Sequence, residues 1–120
     1  MIHVFLADSQ IQVRSALRLF LLDLAMKVVG EAADWPTMLA TMPLTKADMV
    51  IVDWDLIPAG SSLVELRNAC PHTIVIVLIS RLDARQQAAQ SAEANSFISK
   101  NETPDRMAQH LRAAANHIQR

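Results

Sequence analysis

Thr73-Ile74-Val75-Ile76-Val77-Leu78-Ile79-Ser80 is the stretch that decides the fold. Its core is apolar at every position and rich in β-branched residues. A run without polar alternation is a strand covered on both faces, as in a parallel sheet flanked by helices. The run stops at one polar residue, Ser80. Working outward, the chain repeats this pattern. Ile2–Ala7 stops at Asp8, Met49–Val52 stops at Asp53, and a short strand at Ser96–Ser99 leads into Lys100. If these strands are parallel neighbours, Asp8, Asp53, Ser80 and Lys100 meet at the carboxyl edge of one sheet.

The segments between the runs read as helices. Val13, Leu17, Phe20, Leu21 and Leu24 recur at spacings of three and four, and Arg14, Arg18 and Asp23 fall off that stripe. Lys27–Ala32 is a short strand. Pro36 suits the first turn of a helix whose inner face is Met38, Leu39 and Met42, and Pro43 is expected to end it. Asp48–Asp53 is the third strand. Ser62 and Glu65 have capping-box spacing for a helix running to about Cys70, which Pro71 stops. Asp83–Ala94 is helical with an apolar face of alanines alone, which buries little area and anchors weakly. Thr103 and Pro104 form a cap and first turn, and Met107, Leu111, Ala114 and Ile118 form the last stripe. Strand and helix therefore alternate five times. That pattern predicts an α/β fold, a single doubly wound five-stranded parallel sheet with helices on both faces. In such sheets the site lies outside the carboxyl ends of the strands, where strand order reverses.

Composition excludes several classes. A chain of 120 residues fits one domain, spanning 1-120. A net charge of −1 gives no bulk attraction to nucleic acid or anionic membrane. Cys70 is the one cysteine, so neither a disulfide framework nor a cysteine metal cluster is expected; a buried structural thiol is. No apolar stretch approaches the roughly 20 residues that cross a bilayer, and the start lacks a basic signal-peptide region. A cytoplasmic location is expected. Two glycines, Gly30 and Gly60, are too few for a glycine-rich phosphate loop.

The four edge residues carry a definite chemistry. A carboxylate at Asp53 can attack phosphorus and form an acyl phosphate. Phosphoryl transfer then needs charge neutralised and oxygens held. Asp8 suits Mg²⁺, which prefers carboxylates, carbonyls and water. Lys100 can pair with phosphoryl oxygens and Ser80 can donate to one. Asp55 can lend its backbone carbonyl to the cation or turn its side chain to the pocket. Each residue alone is also a common turn former or surface group; their coincidence on four strands favours the site. The histidines His3, His72, His110 and His117 lack metal-like spacing and are expected on the solvated surface. Trp35 and Trp54 are expected to pack. Leu19, Leu22 and Met26 lie partly off the inner stripe; edge-of-core burial is the favoured reading, and a small exposed patch for a phosphotransfer helix is the alternative.

With these residues in place, the whole chain resembles the receiver domain of two-component response regulators, a (βα)5 flavodoxin-like fold, which implies the strand order 2-1-3-4-5. Val28-Val29-Gly30-Glu31-Ala32-Ala33-Asp34 is similar to a segment of the LuxR/FixJ-type subfamily, whose receivers precede a helix-turn-helix. Val52-Asp53-Trp54-Asp55-Leu56 with Pro58 resembles the phosphoacceptor loop. Ile79-Ser80 and Phe97-Ile98-Ser99-Lys100 match the ends of the fourth and fifth strands. The resemblance implies a signalling switch rather than an enzyme. In it, Asp53 accepts phosphate from a sensor histidine kinase and Asp8 belongs to the acidic pair serving Mg²⁺. Ser80 and Lys100 hold the phosphoryl group. Phe97 is the switch aromatic that remodels the surface of the fourth helix, fifth strand and fifth helix. It implies a helix-turn-helix output domain in a longer parent chain, with homodimerisation as a further option, and no direct nucleic acid or membrane binding by this domain.

The departures are specific. Ser9 stands where the family has its second acidic residue, so Mg²⁺ affinity should fall by at least about 10–100-fold, with Asp8, Asp53 and Asp55 left as the metal set. Pro58 comes one position late, before Ala59-Gly60-Ser61-Ser62. Arg81 follows Ser80 where a small residue is usual, and can cover the pocket or pair with Asp53 or Asp55. Glu93 replaces a helix-ending glycine, so Asn95 is expected to take the left-handed turn. Ser9 and Arg81 favour an alternative function: a pseudo-receiver, a dimerisation or protein-binding module that works without phosphate.

Overall fold

The register of the sheet is pinned at its amino edge by Asp48. The His3 N–H donates to Asp48 Oδ2 at 2.9 Å, and the Asp48 N–H donates to the His3 carbonyl at 2.8 Å. The Asp48 carbonyl in turn accepts from Ile74 at 2.9 Å. Three strands are thus aligned by one residue before the third of them begins. The computed structural model describes residues 1–58, 63–79, 96–116 and 118.

Five strands pair in parallel: β1 Ile2–Ala7, β2 Met26–Ala32, β3 Met49–Asp53, β4 Ile74–Ile79 and β5 Ser96–Ser99. Their order is β2-β1-β3-β4-β5, so the order reverses between β1 and β3. Helices α1 (Ile11–Asp23), α2 (Trp35–Thr45) and α3 (Val64–Ala69) alternate with them, and a last helix spans Pro104–Ala115. Alternate strand residues feed two cores. Val4, Leu6, Met49, Ile51, Ile76, Leu78 and Ile98 pack under α1 and the last helix with Leu17, Leu21 and Leu111. Phe5, Ala7, Val50, Val52, Val75, Val77 and Ile79 pack under α2 and α3 with Trp35, Met38, Met42 and Leu66. The doubly wound sheet expected from the alternation is the fold observed. Among the described residues no helix is long and apolar enough to cross a membrane.

Several local expectations need correction. Pro43 does not end α2, which continues to Thr45. A proline in the last turn removes one backbone donor, and two residues remain to close that turn. The helix ends instead at Lys46, in the left-handed conformation with φ 54°. At its start, Asp34 accepts from the Thr37 amide at 2.8 Å; this bond holds the carboxyl below its ordinary value. Cys70 is half-buried rather than buried, and burial pushes its thiol up. His3 and His110 are half-buried, not solvated, while His72 is exposed. The favoured reading for the outer leucines also fails. Leu19 and Leu22 are 67% and 68% exposed, whereas Met26 is buried. Together with Met1 and Lys27, the two leucines line a surface pocket at the amino edge of the sheet, away from Asp53. The Ser62 cap, the Asp83–Ala94 helix, Arg81, Glu93, Asn95 and His117 lie outside the described residues. The Thr103 cap forms as expected, accepting from Arg106 at 3.3 Å.

One feature of β2 has no counterpart in the periodicity. Val4 pairs with Val28 but Phe5 pairs with Gly30, leaving Val29 without a partner on β1. This is a bulge in a parallel pair, an uncommon place for one. Gly30 permits it: a Cβ there would lie 2.7 Å from the Phe5 ring and 3.2 Å from Thr45 Cγ2. Phe5 is fully buried and cannot withdraw. Gly30→Ala should therefore overpack this core and cost about 1–3 kcal/mol of stability. Urea unfolding that leaves the midpoint unchanged would refute this account of the bulge.

Candidate functional site

Parallel register carries the alignment at the amino edge to the carboxyl edge. Ala7 pairs with Val52, so the next residues, Asp8 and Asp53, stand side by side at the reversal of strand order. Asp53 pairs with Leu78, and Ile79 pairs with Ser99. The Lys100 N–H then donates to the Ile79 carbonyl at 2.9 Å. From there the lysine side chain crosses the end of β4. Its Nζ lies 3.0 Å from Asp53 Oδ1 and 3.3 Å from Asp8 Oδ2. Asp8, Asp53 and Lys100 are thus brought together as the strand ends predict.

Both carboxylates are sunk in the fold, Asp8 at 1% exposure and Asp53 at 5%. Asp8 Oδ1 accepts from the Gln10 N–H at 2.8 Å, closing a turn that leads into α1. Among the described residues Asp8 Oδ2 has no hydrogen-bond donor; it forms an ion pair with Lys100. Burial is the largest influence on Asp53 and pushes its carboxyl above its ordinary value. The Lys100 hydrogen bond and charge pull it back, while Asp8 and Asp55 add to the rise. For Lys100, burial acts to lower the ammonium, but Asp53 and Asp8 outweigh it and hold it above its ordinary value. The lysine's contribution to stability is therefore present at neutral pH and is lost as pH rises through its raised value.

The other candidates occupy more open ground. Ser9 is exposed beside Asp8, and Asp55 is exposed in the 3₁₀ turn Trp54–Leu56 that follows β3. Phe97 is half-buried and packs on the same core as Trp54, Leu56 and Ile57. Ser80 lies outside the described residues. Among the described residues, no three of His, Cys, Asp and Glu group as a metal cage. Two buried carboxylates share the one Lys100 ammonium, and that surplus of negative charge fits a hard cation, since a buried carboxylate is costly unless positive charge offsets it. Carbonyls and water would complete an Mg²⁺ shell. Sequence reasoning missed Arg14. It sits off the apolar stripe, yet its guanidinium donates to the Asp8 carbonyl and to Glu31 Oε1 at 2.9 Å.

Opposite mutational effects should separate the two partners of the ion pair. Lys100→Met leaves two buried carboxylates facing each other and should cost about 3 kcal/mol. Asp53→Asn removes the charge that burial disfavours, so it should stabilise at neutral pH. That gain should shrink in acid, where the wild-type carboxyl is already protonated in both states. Denaturation of both variants at neutral and acid pH checks this; a pH-independent gain for Asp53→Asn would contradict it.

Residues 4–112 match the family model of the response regulator receiver domain. A search of curated protein sequences found no match. Among solved structures, the chain is similar to the isolated receiver (REC) domain of RcsB from Salmonella enterica serovar Typhimurium, in the presence of phosphomimetic BeF3-. The TM-score is 0.84 at 19% identity, covering 99% of this chain and 91% of that one. It is also similar to RcsB from the same organism bound to promoter rprA, with TM-score 0.83 and 21% identity. That match covers 97% of this chain and 62% of the other, so the chain spans about three-fifths of that relative's length. The response regulator domain of Thermotoga maritima CheB gives TM-score 0.75 at 23% identity, covering 98% and 96%. At these identities the structural likeness speaks for the fold, and the family model for the kinship: the chain belongs to the response regulator receiver domains of two-component signalling.

Proposed function

We propose that Asp53 is the phosphoacceptor of a phosphorelay and that its modification switches the surface around Phe97. The observation that carries this reading is the buried Asp8–Lys100–Asp53 arrangement at the point where strand order reverses. An Asp53 oxygen attacks the phosphorus of a phosphohistidine on a sensor kinase. A P–O bond forms, the P–N bond breaks, and the imidazole leaves with a proton. Lys100 already contacts Asp53 Oδ1 and pairs as an ammonium with the incoming phosphoryl oxygens. Ser80, next in sequence after Ile79, is assigned by the family resemblance to donate to another of those oxygens. Mg²⁺, when bound, screens the charge on the phosphoryl group; Asp8, Asp53 and the Asp55 carbonyl are the groups that would hold it. Cytoplasmic residence, a longer parent chain with a helix-turn-helix output and dimerisation belong to the same reading.

Ser9 also favours a second reading, a phosphate-independent binding module, because the described residues include no third acidic ligand. Incubation with Mg²⁺ and a small phosphodonor or beryllofluoride decides between them. The first reading expects one phosphoryl adduct on wild type, none on Asp53→Asn, and amide shifts near Phe97. No adduct at millimolar Mg²⁺ would leave the binding module. Ser9→Asp should strengthen Mg²⁺ binding by about 10–100-fold; an unchanged dissociation constant would show that Ser9 is not what weakens the cation corner.

A further inference from the structure

The bulge in β2 determines where Glu31 points. In a regular strand, residues two apart share a face, so Glu31 would follow Val29 onto the α2 side. The bulge shifts that phase by one. Val28 packs toward α1, while Val29 packs toward α2. Gly30 lies opposite Phe5, whose ring also faces α2. Glu31 therefore pairs with Leu6, on the α1 side, and Ala32 returns to the α2 side beside Ala7. Bulges are used to re-aim a side chain next to a site.

The re-aimed carboxylate meets two guanidinium groups on successive turns of α1. Glu31 Oε1 accepts from Arg14 Nε at 2.9 Å, and Glu31 Oε2 pairs with Arg18. Arg14 is mostly enclosed, whereas Arg18 is more than half exposed. A second arm of the Arg14 fork reaches the Asp8 carbonyl. Meanwhile the Asp8 N–H donates to the Ala32 carbonyl at 3.1 Å. Strand β2 thus grips Asp8 at both backbone groups, once directly and once through Glu31 and Arg14. The gripped residue is the buried carboxylate that shares Lys100 with Asp53.

We infer that Arg14 is a positioning residue for Asp8: anchored by the bulge-turned Glu31, it fixes the backbone at Asp8 and so holds the Asp8 carboxylate in the cation corner that Ser9 leaves short of a ligand. This rests on the reading of Asp8 as a cation ligand. Two rigid acceptors for one planar fork are a task for arginine, since a lysine ammonium is a point charge without that fork geometry.

The test titrates the chain with Mg²⁺, reading Trp54 fluorescence beside Asp53, and follows the Gln10 amide by NMR, because its N–H bonds Asp8 Oδ1. Arg14→Gln should weaken Mg²⁺ binding by about tenfold or more and displace the Gln10 signal even without metal. Arg18→Gln removes the other partner of Glu31 without touching Asp8, and should leave both readouts near wild type. Should Arg14→Gln fail to fold, Arg14→Lys carries the same test, with the charge kept and the fork lost. A folded Arg14 variant with wild-type Mg²⁺ affinity and an unmoved Gln10 amide would overturn the inference. If wild type binds no Mg²⁺ and takes no phosphoryl group, the phosphoacceptor reading falls, yet the metal-free Gln10 signal still decides Arg14: displaced supports it, unmoved overturns it.

Discussion

Everything at the carboxyl edge depends on strand register, and register is a constraint that tolerates no partial error. A slip of one residue turns every side chain to the opposite face. Here the two cores require Leu6, Ile51 and Leu78 on one side and Ala7, Val52 and Val77 on the other. Asp48 locks the same alignment from the amino edge through three short hydrogen bonds. Burial and hydrogen bonding therefore agree on one arrangement. Its by-product is that Asp8 and Asp53 emerge side by side, with Lys100 two strands away and able to reach both.

That meeting of charges is held under tension. Two buried carboxylates repel, and burial alone disfavours ionised Asp53. One ammonium offsets part of this cost. The remaining imbalance is what a cation or a transferred group with its own counterions would relieve. A site arranged to be stable by itself would match its charges one to one; this one sets two buried carboxylates on a single ammonium, and among the described residues Asp8 Oδ2 accepts no hydrogen bond. Such incomplete satisfaction in a buried setting is typical of places where ligands bind.

The parallel sheet and the meeting of Asp8, Asp53 and Lys100 at its edge were legible because each rests on local signals, whereas the strand order came with the family resemblance. Apolar runs without alternation mark covered strands, and polar residues that close them mark the edge. The cap at Thr103 was legible for the same reason. Pro43 misled, since a proline's effect depends on how many backbone bonds remain after it, which α2 length decides. Exposure of Leu19 and Leu22 was misread because the width of the apolar stripe that β1 and β2 can cover is a tertiary quantity. The Arg14–Glu31 contact was out of reach altogether. Glu31 faces α1 after an inserted residue shifts the phase of β2, and periodicity assumes no such insertion. Gly30 was the visible trace of it, but a glycine does not reveal what fills the space it leaves.

The outer leucines give α1 two unlike ends. Its first turn borders Asp8, while Leu19 and Leu22 stand beside Met1 at the far edge. At 1.5 Å per residue, Ile11 and Leu22 are separated by roughly 16 Å along the helix axis. A small molecule seated in the leucine pocket would therefore stand a helix length away from Asp8 and Asp53, which lie buried at the opposite edge of the sheet.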